Sequence, residues 1–449
     1  MRFPLIGRFL IVAGVALALL VPLSIIGAKV AERRDRADAV QKAFAGETSG
    51  PQALAGPFLA LTCEETYVEE RVVHQASGKP LTVRETKQRP CPTRLAVPTT
   101  LKVEASVAVE QRFRGIYPIR PYRASMALSG RLDLPAPPEE GRSWKEAYFV
   151  LGISDVRGIK DASGAILNNR SVALLPGPFH KHIPSGLHVP LGRYDAADRT
   201  LAFHVPLQLI GTERLTVAPV ASQNDVRIES SWRHPSFIGA YSPDRREIGP
   251  GGFAATWRVN HLSTGGNAFW LENAGAGRIF ESSRLLGFAL VEPVNPYSMS
   301  YRATEYGFLF VLLTFAAFSL VEIVWGVRLH PVQYALTGSA LAVFFLLLLS
   351  LSEHIRFSAA YAAAAGACVG LLTLYLRHPL GGAWRTALFG ALFAALYSAL
   401  YVLLQSEDHS LLLGSLLVFG VLAAVMLMTR KTNWSALSGR LRQPLADPS

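Results

Sequence analysis

The chain has 449 residues, half of them hydrophobic and 17% charged, with a formal net charge of +11 and a mean hydropathy of +0.26. That mixture excludes a disordered chain and a purely soluble one, and describes an integral membrane protein carrying a large water-soluble part. The basic excess lies mostly beside apolar segments, so membrane topology accounts for it and no nucleic-acid partner is expected.

A bilayer core is crossed by about twenty apolar residues in helix. The first such run is 9–27, preceded by Arg2 and Arg8. It offers no pair of small residues to a signal peptidase and exceeds the usual apolar length of a cleaved signal, so it is read as an uncleaved anchor, residues 1–27. "AERRDRADAVQKAF" follows as a helix leaving the membrane and stops before the breaker stretch "GETSGPQ". The period then becomes twofold. "TLKVEASVAVEQRF" places Leu101, Val103, Ala105, Val107 and Val109 on one face, and "YRASMALSGRLDL", "WKEAYFVLGI", "TLAFHVPLQLI" and "NDVRIESSW" read as further strands between Gly, Pro and Asp turns. Residues 28–305 are therefore expected to form a β-rich domain of packed antiparallel sheets, as one large sandwich or two sub-domains.

Cys63 and Cys91 flank a stretch that reads as a hairpin turning at "ASGKP". A disulfide between its arms and two separately buried thiols are both open. The third cysteine, Cys368, lies in an apolar run, and no CxxC or Cys/His spacing marks a metal or redox site.

Five more apolar runs follow at 306–327, 331–352, 357–376, 386–404 and 410–429, giving six membrane helices and a tail, 430–449. With the N-terminus cytoplasmic, the inner segments hold Arg2, Arg8, Arg328, Arg377, Arg385, Arg430, Lys431, Arg440 and Arg442, whereas the short outer turns hold only Arg356. Both termini are then cytoplasmic and the β-rich domain is periplasmic. The class is an α+β membrane protein: anchor helix, periplasmic β domain, C-terminal five-helix transmembrane bundle.

Several clusters are candidates for chemistry. His180, His182 and His188 stand close together, but no carboxylate or cysteine of fitting spacing adjoins them, so a loop-surface role is expected. Asp155, Arg157 and Gly158 in "SDVRGI" follow an apolar strand and are expected to close a turn and pair locally. The stretch "SSWRHPSFIGAYSPDRREI" concentrates Trp232, His234, Phe237, Tyr241, Arg245 and Arg246. Ring faces and guanidinium donors of this kind bind glycans or peptides, or else cap the end of a β core. Glu322, near the inner end of its helix, is expected to snorkel to the interface. Glu353, His354 and Arg356 fall in the outer turn of "LLLLSLSEHIRF", where a Glu353–Arg356 pair is available and the cluster either docks the periplasmic domain or is simply a wet turn. No hydrolase, phosphate-loop or dinucleotide motif is present. No metal, cofactor or catalytic residue is expected.

The stretches "ETSGPQALAGPFLAL", "SDVRGI", "SSWRHPSFIGAYSPDRREI", "GFAATW", "YGFLFVLLTFAAFSLVEI" and "RLHPVQYALTGSALAVFFLLLLSLSEHIRF" resemble the CreD family of Gram-negative inner-membrane proteins, almost from end to end. The resemblance implies control by the CreBC two-component system and a link to envelope integrity and to responses to colicins and β-lactams. It carries no catalytic residue or ligand. The expected function is support of envelope integrity by non-catalytic binding of a periplasmic component. The alternatives are a small-molecule or lipid transporter built on the helix bundle, and an envelope-modifying enzyme.

Overall fold

The computed structural model describes residues 5–74, 80–135, 141–177, 183–193, 200–264, 280, 284–292, 296–325, 327, 329–406 and 410–430. The chain forms two compact units, residues 39–293 and the combination of 1–38 with 294–449.

The first unit is a two-sheet sandwich. One sheet has eight strands, the other nine. Strand Thr100–Val109 shows why the chain folds so: Leu101, Val103, Ala105 and Val107 are buried while Lys102, Glu104, Ser106 and Ala108 are exposed, the twofold period expected from the sequence. It pairs with Pro121–Asp133, which pairs with Thr200–Thr212, so three long strands present one continuous apolar face. That face meets the other sheet in a single core, where Phe149 packs on Phe203 and Phe253 stands edge-on to Phe288 at 4.9 Å. Each such side chain stabilises the fold by roughly 1.5–3 kcal/mol through burial.

The sheets are mixed rather than purely antiparallel. Gln52–Leu54 runs parallel to Leu215–Val217, and Thr100–Val107 runs parallel to Gln223–Ser230. These partners are far apart in sequence, and long crossovers rather than hairpins connect parallel strands. Twofold alternation alone does not distinguish the two pairings.

Strands Gln52–His74 and Pro80–Ala96 outrun the sheet. Arg142–Ile153 flanks the first of them only as far as Glu65, and the Thr66 amide still donates to the Gly141 carbonyl, so from Tyr67 to His74 it pairs with its hairpin partner alone. Cys63 and Cys91 are register partners near that departure point, with Cα atoms 5.0 Å apart, and are joined by a disulfide. Two-stranded ribbons are marginal in water. Here Glu69–Lys87, Glu70–Arg84 and Glu65–Arg89 pair across the strands, and the Arg89 guanidinium lies over the Tyr67 ring.

The second unit is helical. Helix Leu5–Glu47 begins in it, and Leu19 lies against Gly338, where a Cβ would meet the Leu19 side chain at 2.0 Å. Helices Pro331–Ser352, Phe357–Leu380 and Ala383–Gln405 pack around an aromatic core in which Phe318 touches Tyr334, Phe389 and Phe393. Some of the polar groups at this depth are paired internally, as a bilayer favours. Tyr361 donates to the Tyr397 carbonyl at 2.7 Å, and the Tyr397 hydroxyl meets the Cys368 thiol at 2.9 Å.

The expectation of six membrane helices is not met. Among the described residues, four helices are long and apolar enough to cross a membrane, or five if one bent pair is a single span. The expected 306–327 helix is the second member of that pair, Gly307–Trp325; a 49° bend joins it to Pro296–Glu305, a helix in the stretch expected to end the β-rich domain. The last helix, Ser410–Thr429, is apolar through its described part, Leu412–Leu427.

Candidate functional site

The β domain holds a cleft of about 430 Å³ at the end of helix Leu5–Glu47, lined by Phe44, Glu47, Thr48, Ser49, Glu110, Arg112, Pro121, Tyr122, Arg123, Arg157, Gly158, Lys160 and Ile210. Its floor is built from two stretches about a hundred residues apart. Gln52 is almost fully buried, and its side-chain amide donates to Ser49 Oγ (2.7 Å), the Asp155 carbonyl (2.9 Å) and the Ile210 carbonyl (3.2 Å). Asp155 returns the link by accepting from the Gly50 amide at 3.1 Å. Gly158 completes the fit, because a Cβ there would stand 2.3 Å from both the Gln52 amide nitrogen and the Ile210 oxygen. Gly211 has the same constraint against the Tyr122 ring and Gln52.

Asp155 and Arg157 pair as the sequence suggested, with Nη2 2.7 Å and Nε 2.9 Å from the carboxylate, while Nη1 reaches the Gly46 carbonyl. The Arg157 side chain is the main cause holding the Asp155 carboxyl below its ordinary range, with the Gly50 and Arg157 amides adding to it against the opposing effect of burial. Tyr122 is buried and donates to the Arg214 carbonyl at 2.7 Å, and burial pushes its hydroxyl pKa up. These groups are structural anchors, already committed to partners. Arg123 and Lys160 differ: both are exposed, and among the described residues neither has an acidic partner.

The aromatic and cationic stretch 232–246 is not one surface. Trp232 and Phe237 turn inward: Trp232 donates to the His234 carbonyl at 2.8 Å with Arg120 over its ring, and Phe237 stands edge-on to Phe253 and Trp257. Trp257 in turn donates to the Tyr241 carbonyl at 3.0 Å. His234 is exposed, and Arg245 and Arg246 lie on the exposed edge strand Arg245–Gly249. The aromatics thus cap the core, and the arginines face solvent apart from them.

The 353–356 turn also departs from expectation. Glu353 pairs with Arg33 of the first helix at 3.6 Å rather than with Arg356, because its side chain folds inward to 9% exposure. His354 caps the helix end through the Ser350 carbonyl at 3.0 Å, and Arg356 is exposed. Glu322 accepts from the Leu329 amide at 2.6 Å and so ties the end of its helix to the following connection. His180 and His182 lie outside the described residues; His188 sits on strand Gly186–Arg193 beside the Tyr148 ring.

Neither Arg123 nor Lys160 stands out in the sequence: no motif links them, and only strand register carries them to one wall. The stretches that did stand out interlock: "SGPQ" with "SDVRGI" through Gln52, Gly50 and Asp155, and the 232–246 stretch with "GFAATW" through Trp257. The family model described as "Inner membrane protein CreD" matches residues 4–435. The chain is also 30% identical over 441 residues to the inner membrane protein CreD of Escherichia coli (strain K12), covering 98% of this chain and 95% of that relative. The chain belongs to the CreD family of inner membrane proteins.

Proposed function

We propose that this inner membrane protein supports envelope integrity under stress through non-catalytic binding of an envelope component by its β domain, held on the periplasmic side. The observation that carries the reading is the cleft at Gln52 and Gly158: a concave surface with a rigid, fully hydrogen-bonded floor and free cations at its mouth. Preorganised walls of this kind favour binding, since little ordering is lost when a ligand enters. The acids nearest the floor support a binding role over acid–base chemistry. Asp155 is committed to Arg157 and Gly50, Glu47 to Arg114 and Glu110 to Arg112.

In-cell photocrosslinking tests this reading, with photoreactive residues replacing Arg123, Lys160, Arg245 and Arg246 one at a time in the full-length protein. Capture of an envelope component from the two cleft positions, and not from the edge-strand pair, is the expected result. No capture above background from any position would sink the binding reading.

A further inference from the structure

We infer that the cleft is an anion site for a phosphate-bearing ligand, gripped by Arg123 and Lys160; this rests on the binding role proposed above. Register places the two grips on either side of one strand. Arg123 is the cross-strand partner of Ile210, and the adjoining residue Leu209 pairs with Ile159, immediately before Lys160. Three adjacent strands therefore carry Arg123, Ile210 and Lys160 onto one wall.

The charge balance points the same way. Four cations line the cleft, Arg112, Arg123, Arg157 and Lys160, against two acids, Glu47 and Glu110. Both acids are engaged, Glu110 with Arg112 at 2.7 Å and Glu47 with Arg114 at 2.9 Å. Arg157 is bound to Asp155, so the uncommitted charge belongs to Arg123 and Lys160. Asp161, next in the strand, pairs in register with Gln208 and does not line the cleft.

One feature opposes an anion: a helix ends here, and its carbonyls carry partial negative charge. Those nearest the cleft are already spent. The Phe44 carbonyl accepts from the Thr48 amide (3.0 Å) and hydroxyl (2.8 Å), and the Gly46 carbonyl accepts from Arg157. One other concavity of the domain is lined by Glu229 and Glu247 with no cation; another carries Lys102, Arg258 and Asp225, with Lys102 paired to Glu104. A phosphate suits the site because a guanidinium and an ammonium form charge-assisted hydrogen bonds to its oxygens.

The phosphate can belong to a lipid headgroup or to a soluble ester, and two arms separate them. Full-length protein in phosphatidylcholine nanodiscs is titrated with glycerol phosphate by calorimetry. In parallel, native mass spectrometry counts phosphatidylglycerol retained from mixed nanodiscs. Binding is expected in one arm, weakened at least about tenfold in R123Q/K160Q, since each charge-assisted contact is worth roughly that factor. R123K/K160R and the edge-strand variant R245Q/R246Q should bind like the unaltered protein. Absence of binding in both arms, or binding that R123Q/K160Q keeps, overturns the assignment. Cleft crosslinks to an envelope component alongside that result would leave the proposed function standing and only the phosphate assignment lost.

Discussion

Arg33 of the first helix and Glu353, which ends helix Pro331–Ser352, stand 3.6 Å apart and tie the anchor to the bundle. The buried Glu353 Oε1 has no hydrogen bond, and Arg34 lies over the Tyr301 ring one position further along the anchor. A buried charge that loses its counter-ion costs more than the pair contributes. R33A should therefore lower the melting temperature of the detergent-solubilised protein by an amount corresponding to about 1–3 kcal/mol. The R33A/E353Q double variant should recover most of that loss. A double variant no more stable than R33A would show that the two side chains are not coupled.

The same pair fixes which chain segments share an end of the bundle. Residue 33 leaves the anchor where the 353–356 turn lies, and helices Phe357–Leu380, Ala383–Gln405 and Ser410–Thr429 follow that turn. Three crossings put residue 430 on the face opposite that turn, whereas two put it on the same face. Reporter fusions at residue 150 and at the C-terminus are expected on opposite faces. Reports from one face would mean that Ser410–Thr429 does not cross.

Gly158 admits no side chain. A G158A substitution drives a methyl into the Gln52 amide and the Ile210 carbonyl, and overpacking of this kind costs about 1–3 kcal/mol or more. Loss of thermal stability in the β signal of circular dichroism should exceed that for D155N, which leaves the Gln52 contacts in place.

Acid should act through Asp155. Its folded-state pKa is lowered from 3.8 mainly by Arg157, so its contribution is complete above the unfolded value and is lost as pH falls through the depressed folded one. Below the carboxylate range the unaltered protein should lose stability more steeply than D155N. Parallel acid limbs for the two proteins would remove Asp155 from the account.

The Cys63–Cys91 disulfide closes the base of the projecting ribbon. C63S/C91S should lower stability by about 2–4 kcal/mol. Trypsin should also cut faster at Arg84 and Lys87, which lie beyond the bridge. Unchanged cleavage kinetics would mean that the cross-strand ion pairs alone hold the ribbon together.

Local pattern carried much of this architecture. The alternation at 101–107 marked a buried face because strand side chains alternate whatever the partner, and the apolar run 331–352 marked a helix. There His330 accepts from the Val332 amide, and Gln333 reaches back to the His330 amide at 2.8 Å. "SDVRGI" was legible as a local ion pair for the same reason, since both charges lie on one short turn. The 306–327 run was legible as apolar, but its 49° bend at Tyr306 leaves no mark on hydropathy.

By itself the sequence determined the membrane class, the order of anchor, β domain and helices, and the strands with a periodic buried face, because length, hydropathy and period are properties of contiguous residues. Only the tertiary structure decided the parallel pairings, the inward turn of Glu353 to Arg33, the separation of Trp232 and Phe237 from Arg245 and Arg246, and the placing of Arg123 and Lys160 in one cleft. Each of these depends on strand register or helix packing between distant segments, and no local pattern of residues encodes it.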